Sequence, residues 1–451
     1  MKKEAGTGER RNKALAGRSR MTVYKKLPAM REHFLHFLWR MKRFDLRDLC
    51  TTEGESVQIA DGGEHNPHAG PDFFNARIRI GENTWAGNVE MHVRASEWDE
   101  HRHAADPAYR NVILHVVWEE DRPALRHNGE RIPCLALKDR TPQAVLDAYL
   151  TLEHEPYAIP CRRFFSQTPE ILRLNWYDRL VVERLEERTE AVVHALEQAE
   201  GSWEEAFYCR TAHAFGLKIN AQPFEMLARS LPLRILAKHK NDPTQLEALL
   251  FGQAGMLNQI FADEHPQILQ REYEHLRHKY GLTPLPDGAW KFLRLRPANF
   301  PTLRIAQFAA LIHRSAHLLS KTLEAADARE LAHLYAAEPG PYWRNRYQLD
   351  KASVAKDKRI GKTFLGLIWI NATIPFVYHY GKQMHRKDLQ DKALSWLEAL
   401  PPESNAVLDR WAELGATARN AWQSQALMHL QSRYCTPRRC LECAIGGAIL
   451  R

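Results

Sequence analysis

The chain has 451 residues, 44% hydrophobic and 26% charged. These are ordinary globular values that exclude a disordered or fibrous protein and leave room for about three domains. The net charge is +8, but seven cations and two acids in the first 20 residues account for +5 of it, so the basicity is mainly that of a leader and is no argument for nucleic acid. No apolar run reaches spanning length, no apolar core follows the basic start, and seven cysteines make no disulfide scaffold, so a reduced, cytoplasmic chain without a membrane anchor is expected.

Residues 1–27 read as a disordered basic leader. From Pro28 to Leu46, Met30, Phe34, Phe37, Leu38 and Met41 fall on one helical face. Strand signals follow. Ser56–Ala60 runs into the turn Asp61-Gly62-Gly63. Phe73–Ile80 and Thr84–Val93, joined by Gly81-Glu82-Asn83, predict a hairpin. Val112–Val117 is an almost unbroken apolar run, as in a buried central strand. A fifth short strand is expected near Arg131–Leu137. Beyond Pro160 the period changes. Trp176, Leu180, Val181, Leu185, Val192 and Leu196 keep helical spacing over six turns. The expected fold class is α+β: a small mixed-sheet domain over 28–155, a larger mostly helical domain over 160–432, and a cysteine-bearing tail over 433–451.

The densest chemistry lies in Asn66–Phe73 and Trp85–His92. Asp72 opens one strand of the hairpin. Glu90 and His92, two apart on the other strand, project the same way. A hairpin can bring Asp72 beside them, and two carboxylates with an imidazole make a divalent-metal site. Gly70 and Gly87 would let the backbone approach a ligand closely. His101, His103, His115 and Asp106 crowd nearby without diagnostic spacing, and alternation places His115 on a buried strand face. The structural alternative is a turn-capping Asp72, a Glu90 paired with Arg77 or Arg94, and a satisfied sheet histidine at 92.

Pro71-Asp72 followed by Glu90-Met91-His92 resembles the motif of the PD-(D/E)xK nuclease superfamily, whose core runs helix, three strands, helix, strand. The resemblance covers about 100 residues. It implies a nuclease in which Asp72 and Glu90 hold Mg²⁺ or Mn²⁺ and His92, standing where the family has lysine, orients or deprotonates the attacking water. The chain as a whole, from about Met21, is similar to a bacterial family known as domain of unknown function family 2851. Ala69–Arg77, Trp85–Glu90, Pro223–Ala228, Phe251–Gly255, Leu295–Pro301 and the cysteine tail carry that similarity, which implies no activity. No Walker loop, nucleophile elbow or dinucleotide fingerprint appears. The alternatives to a nuclease are a non-catalytic nucleic-acid-binding or scaffold protein on a decayed nuclease fold, or a small-substrate metal hydrolase using the histidines.

Two further patterns remain. Cys435, Cys440 and Cys443 give C-x4-C-x2-C, a grip for zinc or an iron–sulfur cluster that lacks one ligand. Cys161 is the first choice for the fourth, ahead of Cys209 and His429. Some nucleases of the superfamily are similar in holding an iron–sulfur cluster on one distant and three clustered cysteines. Free thiols are the alternative. Trp290–Arg304 interleaves aromatics with Arg294, Arg296 and Arg304, as a single-strand DNA or RNA contact would, or as the wet face of an amphipathic helix would.

Overall fold

The structure is a computed structural model that describes residues 30–315 and 317–451; the leader expected over 1–27 lies outside the described residues. The chain divides into two compact units, Met1–Asp147 and Ala148–Arg451. The first holds a small mixed sheet, and the remainder is mostly helical. The division falls inside the helix Gln143–His154, some residues before the change of period at Pro160. Among the described residues no helix is long and apolar enough to cross a membrane.

In the first unit, helix α1 (Glu32–Met41) stops at Lys42, whose left-handed φ of 50° returns its N–H to the Leu38 and Trp39 carbonyls. It buries Phe34, Leu35, Phe37, Leu38 and Trp39, each worth roughly 1.5–3 kcal/mol. Glu32 and His36, four apart, share another flank of the same helix.

The strands are β1 (Val57–Asp61), β2 (Glu64–His65), β3 (Phe73–Ile80), β4 (Asn83–Arg94), β5 (Val112–Glu119) and β6 (Cys134–Ala136). The order is β1-β3-β4-β5-β6, with β2 also on β3. The pairs β1–β3 and β3–β4 are antiparallel, whereas β4–β5 and β5–β6 are parallel. Helix α1 packs on β4 and β5. The link from β4 to β5 holds only the four-residue helix α2 (Glu97–Glu100) and two short 3₁₀ turns. It is pinned by Trp98, which is buried with Val112, Ala124 and Ile132 and donates its indole N–H to the Leu125 carbonyl at 2.9 Å.

Two irregularities place the hairpin. The register of β3 against β4 shifts between Phe73 and Ala76, where Asn75 takes a left-handed φ of 58°. At Gly87 a Cβ would fall 2.4 Å from Ile113 Cγ2 and 2.6 Å from the Asn111 carbonyl oxygen, so β4 can lie this close to the start of β5 only with glycine.

The second unit is built on a 29-residue helix, α4 counting Gln143–His154 as α3, running from Glu170 to Gln198. Helices Ala421–His429 and Ile374–Gln383 pack against it. Between helices Lys362–Ile368 and Ile374–Gln383 a π turn, Trp369–Thr373, loosens the ladder. Arg188 fills that opening, donating to the Ile370 carbonyl at 2.6 Å and to Asn371 Oδ1 at 3.0 Å.

Candidate metal centre

The backbone alone brings Asp72 and Glu90 together. Phe73 pairs with Val89 across the hairpin, so the next residues outward are opposite each other. The Asp72 N–H donates to Glu90 Oε2 at 3.2 Å, and the Met91 N–H donates to Asp72 Oδ2 at 2.8 Å. On the other side of β4 the parallel register sets Glu90 opposite His115.

Around this pair stand two groups of donors. Helix α1 supplies the first. His36 Nε2 lies 3.3 Å from Asp72 Oδ1 and 3.5 Å from Glu32 Oε1. Glu32, His36 and Asp72 each offer one ligand atom, all within 4.8 Å of one another. The second group is His92, His101 and His103, within the same limit. His92 Nε2 is 3.2 Å from His101 Nδ1, and its Nδ1 shares a 2.9 Å hydrogen bond with His115 Nε2. Glu90 Oε1 faces this group, 3.7 Å from His92 Nε2 and 3.4 Å from His103 Nε2. Glu90 therefore touches both groups, one oxygen on each side. Tyr109 stacks on the His103 ring at 3.8 Å between centroids.

The charges follow from burial. Glu90 is 4% exposed. Burial, reinforced by the Asp72 charge, raises its pKa and favours the protonated acid. His92 is pushed down to about 2 by burial and then by His115, His103 and His101. His115 is pushed down to about 3 by burial and His103. Both are thus neutral imidazoles, the form that binds metals. Burial also lowers His36, but the carboxylates of Asp72 and Glu32 outweigh it and raise the ring to about 9.

The donor set suits a cation. His36 Nε2 and His103 Nε2 are buried without a well-directed hydrogen bond, although each has carboxylate oxygen within 3.5 Å. Three carboxylates and four or more imidazoles form a mixed O/N set that fits Mn²⁺ or another transition ion better than Mg²⁺, which prefers oxygen.

Asp72, Glu90 and His92 thus lie in one site, joined by His101 and His103. Arg94 turns to Glu97 and Glu100 rather than to Glu90. Glu32 and His36 were not read from the sequence. Their Glu-x3-His spacing on a helix was the available signal, masked because the apolar face of α1 explains the helix by itself. Cys161, Cys435, Cys440 and Cys443 line one cavity in the second unit, whereas Cys209 lines a different one and His429 faces Glu183 and Glu187. The three arginines separate. Arg294 and Arg296 are exposed on an irregular segment, not on a helix face. Arg304 is 6% exposed, stacked on Phe364 at 3.3 Å and bonded to Gln307 and Asn299, so its guanidinium is committed inside the fold and does not face a ligand strand.

A family model described as "Protein of unknown function (DUF2851)" matches residues 32–406. The chain belongs to this family. The match takes in every donor of the candidate centre, from Glu32 to His115, together with Cys161, and ends before Cys435. No curated protein and no solved structure matches the chain.

Proposed function

We propose that the DUF2851 chain is a metal-dependent nuclease-like hydrolase of nucleic-acid phosphodiesters, with its centre at Asp72, Glu90 and the two donor groups beside them. The observation that carries the reading is the position of Glu90, a buried carboxylate set between two groups of ligating atoms. Paired ions in such a setting lower the pKa of a bound water and stabilise both attacking and leaving oxygens. Glu32, His36 and Asp72 would hold one ion, with Glu90 reaching toward both. His92, His101 and His103 would hold the second, and His115 fixes the orientation of the His92 ring. The order helix, antiparallel strands, short crossover, parallel strand supports the nuclease reading. So does the Pro71-Asp72 and Glu90-x-His92 pairing. The short crossover and the histidine at 92 depart from that resemblance. Arg294 and Arg296 are exposed cations of the basic segment that would follow a DNA or RNA backbone.

The abundance of imidazole favours one second reading, a metal hydrolase of small substrates. Both are tested with the full chain by cleavage of labelled single- and double-stranded DNA and RNA, and of simple phosphate esters, in Mn²⁺, Mg²⁺ or chelator. Mn²⁺-dependent cleavage of a polymer, exceeding that in Mg²⁺, is the expected result. Turnover of esters alone selects the second reading. No turnover and no bound Mn²⁺ in calorimetry would leave a non-catalytic scaffold.

A further inference from the structure

Cys161 and the tail cysteines are 274 or more positions apart in the sequence, yet Cys161, Cys435, Cys440 and Cys443 line one cavity with Pro160, Leu430, Tyr434, Ile445 and Gly446. All four are free thiols, and Cys161, Cys435 and Cys443 are 6–7% exposed. The local backbone is shaped to converge them. Cys435 ends a π turn, Leu430–Cys435, a feature frequent at functional sites. Gly446 lets the tail fold back on itself, because a Cβ there would fall 2.0 Å from the Cys440 carbonyl oxygen.

Burial pushes all four thiols up, so negative charge on these sulfurs needs a counter-cation. Cys443 is the N-cap of the helix Ala444–Ile449, and after burial, which raises its thiol, the Gly446 and Ile445 N–H groups and the Trp176 indole act in the opposite sense. The Trp176 N–H is buried without a hydrogen-bond partner, on a residue 6% exposed. Arg438 stands within charge range of Cys435 and Cys440. Four thiolates would repel one another, and only a cationic centre offsets that.

The spacing selects the centre. A single tetrahedral zinc with bonds of about 2.3 Å draws its four sulfurs to roughly 3.8 Å from one another. Among the described residues, the sets of three or more donors within 4.8 Å of one another are the two histidine-containing groups of the first unit, so no three of these sulfurs are all drawn as close as one zinc would hold them. A cuboidal cluster, in which each thiolate binds its own iron, takes sulfurs several ångströms further apart.

We propose that Cys161, Cys435, Cys440 and Cys443 ligate a [4Fe–4S] cluster that fastens the C-terminal tail to the 158–165 turn and to α4 within the second unit. Each thiol gives up its proton as its sulfur bonds to one iron. The site is independent of the hydrolase reading, and neither stands on the other.

The test is anaerobic purification of the full chain, followed by reconstitution with ferrous iron and sulfide. The readouts are iron, zinc and labile sulfide per chain, visible absorption, and electron paramagnetic resonance after reduction. About four irons and four sulfides per chain are expected in a brown protein. Cys161→Ser should cut cluster content several-fold and Cys209→Ser should leave it unchanged. Trp176→Phe, which removes only the buried, unpartnered indole N–H, should retain the cluster while lowering its reduction potential. One zinc per chain without labile sulfide overturns the proposal. So does full cluster content in Cys161→Ser, or a protein that takes up no iron. If Cys161→Ser does not fold, wild-type metal content and the Trp176→Phe potential still decide.

Discussion

Glu90→Gln is expected to reduce Mn²⁺-dependent turnover at least about a hundred-fold while making the metal-free protein more stable. Glutamine keeps the shape of Glu90 and can still accept the Asp72 N–H that now reaches Oε2 at 3.2 Å. It cannot become an anion, so both donor groups lose the one carboxylate they share. The stability gain follows from the raised pKa of Glu90. In the unfolded chain this group titrates near its ordinary 4.5. In the fold, burial and the Asp72 charge hold the proton to higher pH. The stability contributed by protonated Glu90 is complete below 4.5 and is lost as pH rises through the folded-state value. Glutamine mimics the protonated form at every pH. The variant should therefore match wild type near pH 4 and exceed it by about 1–2 kcal/mol near pH 8, in chelator. Denaturant unfolding at both pH values checks this, and added Mn²⁺ should stabilise wild type alone. A variant that unfolds with wild type at pH 8, or that keeps its activity, contradicts the assignment.

His92→Lys restores the residue of the nuclease motif, yet it is expected to cost about 3–5 kcal/mol and to abolish metal binding at the histidine group. His92 is 1% exposed, and its neighbours are His115, His101 and His103. Among the described residues the carboxylate beside this position is Glu90, and the extra length of lysine enters a space already filled by rings. His92→Gln is the control: it is neutral, can still bond to His115, and should fold while binding Mn²⁺ less tightly. A stable His92→Lys protein with wild-type turnover would show that the position plays the lysine part and that its imidazole is dispensable.

The extent to which these features were legible in the sequence follows from the range of the interactions. β3, β4 and β5 announce themselves by alternation or by an unbroken apolar run, because their faces are set by neighbours one and two positions away. The two-residue strand β2 carries no such pattern and exists only because β3 offers it an edge. Glu90 and His92 were readable as a pair on one strand face. That Glu90 sits opposite His115 depends on the parallel register of β4 and β5, which alternation does not specify. His36 is brought to Asp72 by the packing of α1, a fact stored in Phe34, Leu35 and Leu38 and not in the donors themselves. Arg304 shows the opposite failure. Its place in a run of aromatics and cations suggests a wet face, whereas Phe364, 60 positions on, draws it inside.

The mixed pairing of β4 has a dynamic consequence. This strand is hydrogen-bonded along both edges, antiparallel to β3 and parallel to β5, so its amides can open only when the sheet as a whole gives way. Asp72 hangs at the end of β3 beyond the Asn75 bulge, where the ladder is interrupted. The centre thus joins an anchored half, Glu90 and His92, to a compliant half, Asp72 with the helix-borne His36. An arriving ion would recruit the compliant ligands toward fixed ones, and deuterium uptake should fall on Mn²⁺ binding across residues 71–76 while β4, already protected, stays unchanged.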